Sequence, residues 1–446
     1  MSLAQEDRLA ELVALAREGR VDTFIERAWK LEPADLADVF AALNEDERLV
    51  LVRQLPAELS SQALVEMPGD AHPEDTLAAL DPVQAAEIVE ELEDDDAADL
   101  LGELEPEQQE RILAEVEDRA DVDRLLRYDD ETAGGLMTTA LVTVTDLDNV
   151  GLALEAVRRQ AEDVEDVTEI FVVDTARRLV GSLSFKQLVL TSPETVVRDV
   201  MEDAEVRVGP DEDQEDVARL MARYNVPSVP VVDPSGRLLG RVTYDDVIDV
   251  TEAEATEDLL RFGGVSPDEE LGGRWSSAVR SRLPWLYVNL LTAFLAASVV
   301  YFFEATIAKM TALAVWMPII AGMGGNAGTQ ALAVTVRRLS LGQVPVDRLW
   351  AVIKKEMLVG ITNGFAIGLV ISLVSLLLGA EWRLGLVVFL AMTGNLFVAG
   401  TAGSFVPVLL ERLGVDPAVA SSIFVTTLTD VCGFGLLLGL ATMVLL

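Results

Sequence analysis

The stretch Thr426-Thr427-Leu428-Thr429-Asp430-Val431-Cys432-Gly433 places one carboxylate inside an otherwise uncharged run from Ala418 to Leu446. Such a run is long enough to cross a bilayer, which takes about 20 residues. An Asp near the middle of a membrane helix costs on the order of 3 kcal/mol, so it is normally kept where a cavity, a partner or an ion compensates it. Asp430 is therefore the leading functional candidate. The plainer reading is an Asp satisfied by a buried hydroxyl or backbone group.

Upstream, four further apolar runs read as membrane spans, at 284–303, 312–335, 357–379 and 385–410, so that the last run, 418–446, is the fifth. The flanks predicted to be cytoplasmic carry Arg280, Arg282, Arg337, Arg338, Arg348, Lys354, Lys355 and Arg412, against Lys309 and Arg383 on the other side. That asymmetry follows the positive-inside rule and leaves the C-terminus outside. Gly360, Gly364 and Gly368 recur at intervals of four in the third span, a close-packing face.

The second span is unusual: Pro318-Ile319-Ile320-Ala321-Gly322-Met323-Gly324-Gly325-Asn326-Ala327-Gly328-Thr329-Gln330. Within a bundle, Pro and Gly free backbone carbonyls that can line a water-filled path. Pro318, Gly325, Asn326, Gly328, Gln330 and Thr426 are the candidate lining residues, and Thr362, Asn363, Thr393 and Asn395 add further oxygen acceptors. No soft ligand accompanies them, so the chemistry points to a hard cation. Magnesium keeps several waters and is typically held by one or two carboxylates, which suits one Asp per chain better than a dehydrated calcium cage does.

Charge divides the chain sharply. Residues 272–446 hold seven acids and eleven Lys and Arg, whereas residues 1–271 hold 68 acids and 23 bases, a net of −45. So strong a self-repulsion argues against nucleic acid or anionic lipid as partners and favours divalent cations. The plain alternative is solubilising charge. Cys432 and His72 are the single cysteine and histidine, so an internal disulfide is excluded and a zinc-type site is essentially excluded. The N-terminus lacks the basic and apolar regions of a signal peptide, and the acidic part is expected in the cytoplasm.

Residues 1–128 read as helix throughout, punctuated by Pro33, Pro56, Pro82 and Pro106, each suited to a first helical turn. A period of 23 to 26 residues predicts a small α-solenoid. Its densest acid cluster is Glu93-Asp94-Asp95-Asp96, followed by Asp99. Cation binding and a solvated helix start are both open there, because acids also favour helix N-termini without any metal.

From about 130 to 250 short β-branched runs alternate with helices, and the sequence repeats. Val172-Val173-Asp174, Gly181 and Ser184 match Val231-Val232-Asp233, Gly240 and Thr243, 59 positions later. Leu136-Met137 and Val200-Met201 each precede a Val-rich strand. The repeat resembles a tandem pair of CBS modules, an α+β regulatory fold, at 129–192 and 193–250. In many such pairs a Ser or Thr and then an Asp hold the ribose of an adenine nucleotide. The second copy has Thr243 and Asp246, but the first has Ser184 and Gln187, which makes nucleotide binding doubtful.

A connector helix is predicted over 243–270, overlapping the second copy. On a helix Asp246, Asp249, Glu254 and Glu257 fall within an arc of roughly 140°. Such a face suits a cation-bridged interface or, more plainly, a solvated connector. The membrane domain follows from 271 to 446.

Pro-x3-Gly-x2-Gly-Asn-x-Gly-x-Gln in the second span, Leu-Thr-Asp in the fifth, and the order helical domain, CBS pair, connector, five spans together resemble the MgtE family of magnesium channels and transporters. The resemblance implies a homodimer in the cytoplasmic membrane, with a pore between two membrane domains and Asp430 of both chains holding hydrated Mg²⁺. It also implies that intracellular Mg²⁺ closes the pore by bridging Asp95 and Asp99, Asp213 and Glu215 of the second CBS copy, and Asp246, Asp249, Glu254 and Glu257. Gln62, Asn225 and Ser422-Ile423 depart from the family pattern.

Other readings stay open. Another divalent cation, Mn²⁺, Co²⁺ or Ca²⁺, would use the same oxygens. An intramembrane aspartyl hydrolase needs two carboxylates sharing a proton, and each chain has one. A CBS-regulated anion channel would want bases lining its pore, and the spans contain none internally.

Overall fold

The computed structural model describes residues 3–160, 164, 167–266, 269, 275–340, 349–413 and 421–446. Arg348 and the start of the last apolar run, 418–420, lie outside the described residues. The chain forms two compact units, Met1–Glu252 and Ala253–Leu446.

In the first unit, short helices follow one another: α1 (Leu3–Arg17), α2 (Val21–Ala28), α3 (Pro33–Ala41), α4 (Glu45–Val52), α5 (Ala57–Val65), α6 (Pro73–Ala78), α7 (Pro82–Val89), α8 (Asp94–Gly102), α9 (Pro106–Leu113) and α10 (Val122–Leu125). Pro33, Pro82 and Pro106 stand in the first helical turn, where a missing N–H costs nothing, and Pro56 occupies the cap position before α5. Asn44 closes a capping box with Glu47 at the head of α4. Odd helices stack on odd (α3 on α5, α5 on α7, α7 on α9) and even on even (α4 on α6, α6 on α8), which is the solenoid the proline period predicts.

The repeat appears at its expected offset. The first copy has β1 (Thr143–Thr145), α11 (Val150–Gln160), β2 (Glu169–Val173), β3 (Leu179–Ser184) and α12 (Phe185–Leu190). The second has α13 (Gln214–Tyr224), β4 (Ser228–Val232), β5 (Leu238–Thr243) and α14 (Tyr244–Phe262). β2 pairs antiparallel with β3 and β4 with β5, each with a register shift at its Val-Val step, and β1 runs parallel to β2. In the second copy the strand matching β1 shrinks to one parallel bridge, Val208 to Val231.

The leading segments cross over. Thr138, ahead of β1 in the first copy, pairs with Arg241 of β5, and Glu202, ahead of α13 in the second, pairs with Ser182 of β3. Gly240 and Gly181 permit this, because a Cβ at either would meet the crossing backbone, Thr138 O at 2.7 Å and Glu202 O at 2.6 Å. Consequently Ala133 and Met137 belong to the core shared by the solenoid and the second copy, whereas the first copy has a core of its own around Ile170, Val172 and Leu183.

The second unit contains five long helices among its described residues: α15 (Trp275–Phe302), α17 (Leu313–Ser340), α18 (Leu349–Leu377), α19 (Trp382–Arg412) and α20 (Ser421–Val444), with the short α16 (Glu304–Lys309) after α15. α15, α18, α19 and α20 are long and apolar enough to cross a membrane. α17 matches them in length, but its glycines, Asn326 and Gln330 dilute its apolar character. The helices outrun the apolar stretches; α15 begins nine residues before the predicted span and carries Arg280 and Arg282 in its opening turns. α19 is the centre of the unit and packs against α17, α18 and α20. A Cβ on Gly360 would overlap the Leu396 carbonyl, one on Gly400 the Glu356 carbonyl, and one on Gly364 would lie 2.8 Å from Thr393 Cα. The glycine face of α18 is thus the surface on which α19 rests.

Candidate cation sites

Two places gather oxygen ligands, one in each unit. In the first unit, α8 opens with Asp94, Asp95 and Asp96 after Glu93, an arrangement the helix dipole favours. Asp245 and Asp246 occupy the first turn of α14, where Thr243 donates to Asp246 Oδ2 from its hydroxyl at 2.6 Å and from its N–H at 3.4 Å. Glu93, Asp95, Asp96, Arg241, Asp245 and Asp246 line one cavity of about 90 Å³. A single water needs on the order of 10–15 Å³ measured this way, so there is room for several.

Burial of these acids dominates their electrostatics. It lifts Asp95 well above the ordinary carboxylate range, and the charges of Asp246, Asp96 and Glu93 lift it further. Asp96 is raised to about 7 by burial and then by Asp246 and Asp99. Asp99, one turn along, is raised to about 7 by burial and by Asp130 and Asp246. Asp246 is raised to about 6, burial outweighing the hydrogen bond from Thr243. Asp95 Oδ1 is buried with no hydrogen-bond partner among the described residues. Among the described residues, Arg241 is the one buried cationic side chain that lines the cavity with these five acids. Net negative charge, an orphaned oxygen and room for water fit a bound cation.

The spacing favours a hydrated one. Among the described residues, no three of these carboxylates bring oxygens within 4.8 Å of one another. The group that does is His72, Glu74 and Asp75, where His72 Nδ1 lies 2.9 Å from Glu74. There, however, the buried Arg48 donates to the His72 carbonyl at 3.4 Å and to Thr76 at 2.6 Å, so a positive charge already stands beside the cluster.

Of the expected sensor residues, Asp95, Asp99 and Asp246 come together. Burial, Glu252 and Asp245 raise Asp249. Asp213 caps α13 by accepting from the Glu215 N–H, and Glu215 pairs with Arg219 at 3.3 Å. Glu254 and Glu257 belong to the second unit, where Glu257 pairs with Arg261. Asn225 ends α13 with φ +53°, a left-handed cap that Asn accepts readily. Asp96 belongs to the acidic cluster at which the sequence leaves cation binding open, whereas no sequence signal singles out Asp245 or Arg241 as lining this cavity.

In the membrane unit, Pro318, Gly322, Asn326 and Gln330 recur every four residues along one face of α17, and all four are exposed. Thr426 of α20 is exposed beside Gly325, whose Cβ would lie 3.9 Å from Thr426 Cγ2, and Asp430 is half-buried one turn along. Gly328 instead belongs to the packed seam, since a Cβ there would meet Val425 at 2.5 Å. Thr393 donates to the carbonyls of Phe389 and Gly364, and Thr362 and Asn363 lie on an exposed face of α18. Amides and hydroxyls cannot face lipid without loss, so the α17 stripe and Thr426 require water or a second polypeptide.

A family model for MgtE, described as a divalent cation transporter, matches residues 317–440. Models for the MgtE intracellular N domain and the CBS domain match residues 31–131 and 197–252. The magnesium transporter MgtE of Bacillus subtilis is 32% identical over 99% of this chain and 98% of its own. That of Thermus thermophilus is 40% identical over 73% of each, and that of Enterococcus faecalis 37% identical over 72% of this chain and 71% of its own. Two solved structures are similar to the front of the chain. The soluble part of a magnesium transporter is 31% identical, with a TM-score of 0.52 over 56% of this chain and 99% of that one. The cytosolic domain of the Mg²⁺ channel MgtE in complex with ATP is 37% identical, with a TM-score of 0.51 over 54% of this chain and 99% of that one.

Proposed function

The chain belongs to the MgtE family of divalent cation transporters, and on that premise we propose that it carries Mg²⁺ through the cytoplasmic membrane as a homodimer that Mg²⁺ itself closes from inside. The family is one of transporters and not of enzymes. The observation that carries the reading is the exposed polar stripe Pro318, Gly322, Asn326, Gln330 with Thr426, close to the half-buried Asp430. A two-fold axis along that face would bring two such stripes and two carboxylates around one aqueous path. Two aspartates with neutral oxygens around them suit an ion that keeps its water shell.

Closure rests on the cavity of Asp95, Asp96 and Asp246. Without a cation these buried acids repel one another; a divalent ion binds the compact arrangement in preference to an opened one and so selects it. Asp213, Glu215, Asp249, Glu254 and Glu257 would add to that response from their own places on α13 and α14. The solenoid and CBS pair then lie in the cytoplasm, and an odd number of spans puts the C-terminus outside.

An adenine nucleotide is the second reading for the same cavity, favoured by the Thr243–Asp246 pair. Its phosphates would meet the five carboxylates lining the cavity, so binding is expected only with a divalent cation present. The whole proposal is tested with purified protein in liposomes, by following Mg²⁺ entry with Mg²⁺ absent from, or abundant on, the side of the solenoid. Entry in the first condition and arrest in the second is the expected pair of results; equal entry in both would remove the sensor.

A further inference from the structure

Asn395 of α19 is fully buried in the membrane unit. Its Nδ2 donates to the carbonyl of Ile320 on α17 at 2.9 Å. A carbonyl only accepts, so this bond fixes which way the amide faces and leaves Oδ1 pointing elsewhere. Oδ1 is buried with no hydrogen-bond partner among the described residues. The amide is also wedged between two glycines. A Cβ on Gly324 of α17 would overlap Asn395 Nδ2, and a Cβ on Gly433 of α20 would lie 2.8 Å from Nδ2 and 3.2 Å from Oδ1. Thr429 closes the junction, its Cβ lying 3.2 Å from where the Gly324 Cβ would be.

Three helices therefore meet on one amide. Gly324 lies two residues before Asn326, and Thr429 and Gly433 bracket Asp430 on α20. At 100° per residue the Thr429–Gly433 face lies some 80° around α20 from Asp430, so the amide supports the helix that carries the acid without facing the acid directly. A buried amide oxygen left unpaired is destabilising, because its bond to water is lost and not replaced. A hydrocarbon side chain would fill the same space without that cost but could not grip Ile320.

We propose that Asn395 is the positioning residue of the ion path, setting the height of α20 on α17 and hence the distance from Asp430 to the amides of the α17 stripe. That distance fixes how large a hydrated ion fits, so Asn395 governs selectivity between divalent ions. The inference rests on the transport reading for its consequence, while the positioning itself is measurable without transport.

The test uses the full-length protein with Cys432→Ser. Gly325→Cys and Thr426→Cys provide a cross-link across the α17–α20 seam, scored by its rate of disulfide formation. Asn395→Ala, or Asn395→Ser should the first fail to fold, is expected to slow that rate several-fold, because the anchor on Ile320 and the wedge against Gly433 are lost together. Without the cysteine pair, the same substitution is expected to lower the ratio of Mg²⁺ to Ca²⁺ flux in liposomes. Gly433→Ala should impair Mg²⁺ flux alone and recover part of it when combined with Asn395→Ala, because the smaller side chain makes room. An unchanged cross-linking rate overturns the positioning role, and an unchanged flux ratio overturns the link to selectivity. Wild-type protein that carries no Mg²⁺ would overturn the transport reading instead, leaving the cross-linking rate to decide on Asn395.

Discussion

Asp95, in the first turn of α8, and Asp246, in the first turn of α14, line one cavity, and after burial it is the charge of Asp246 that most raises the Asp95 carboxyl. Carboxylates of the solenoid and of the CBS pair thus raise one another's protonation across one cavity.

That coupling has a pH signature. Asp96 and Asp99, raised to about 7, and Asp246, raised to about 6, ionise less readily in the folded cluster than in the unfolded chain, where Asp titrates near 4. Their favourable contribution is fully present below the unfolded value and is lost as pH rises through the folded ones. In chelator, thermal unfolding of the cytosolic part of the protein should move to lower temperature between about pH 4 and pH 7. Added Mg²⁺ should flatten the dependence. A midpoint that rises with pH in chelator would contradict it.

Neutralising the repulsion should mimic the ion. Asp96→Asn is expected to stabilise the metal-free protein by on the order of 1 kcal/mol, the equivalent of about one pKa unit. The same substitution should reduce the protection that Mg²⁺ gives against protease. Digestion with and without Mg²⁺ measures both effects; destabilisation in chelator would mean that Asp96 is held by contacts other than those described.

The α18–α19 seam sets a limit on packing. Gly400→Val or Gly360→Val drives a side chain into a facing carbonyl, and overpacking of this kind costs about 1–3 kcal/mol. Melting in detergent should fall accordingly. Gly322→Ala, with nothing within 4 Å of its Cβ, serves as the tolerant control.

Legibility in the sequence followed the range of the forces involved. Proline spacing, the 59-residue repeat and the apolar runs are local patterns, and each produced its element close to where it was expected. Asp95 and Asp99 are what the resemblance implies, whereas the cavity is lined on α8 by Glu93, Asp95 and Asp96, which an i, i+4 spacing does not pick out. The strand exchange through Thr138 and Glu202 was invisible because nothing in Gly181 or Gly240 says which backbone will cross them. Gly328 illustrates the same limit from the other side: one α17 helix carries both a packed glycine seam and an exposed amide stripe, offset by two residues, and motif spacing alone does not separate them.

The dimer axis is tested at the stripe itself. Asn326→Cys in a Cys432→Ser background should form a disulfide with its own copy in membranes, since the α17 face is exposed among the described residues. Cross-linking from lipid-facing positions such as Leu373 but never from 326 would place the axis elsewhere.

Whether Asp430 holds the transported ion is decided by Mg²⁺ uptake into liposomes by Asp430→Asn protein whose dimer assembly and melting match the wild type. Uptake should be lost while the Mg²⁺-induced protease protection of the cytosolic part is retained. Wild-type uptake by the assembled Asp430→Asn protein would contradict it.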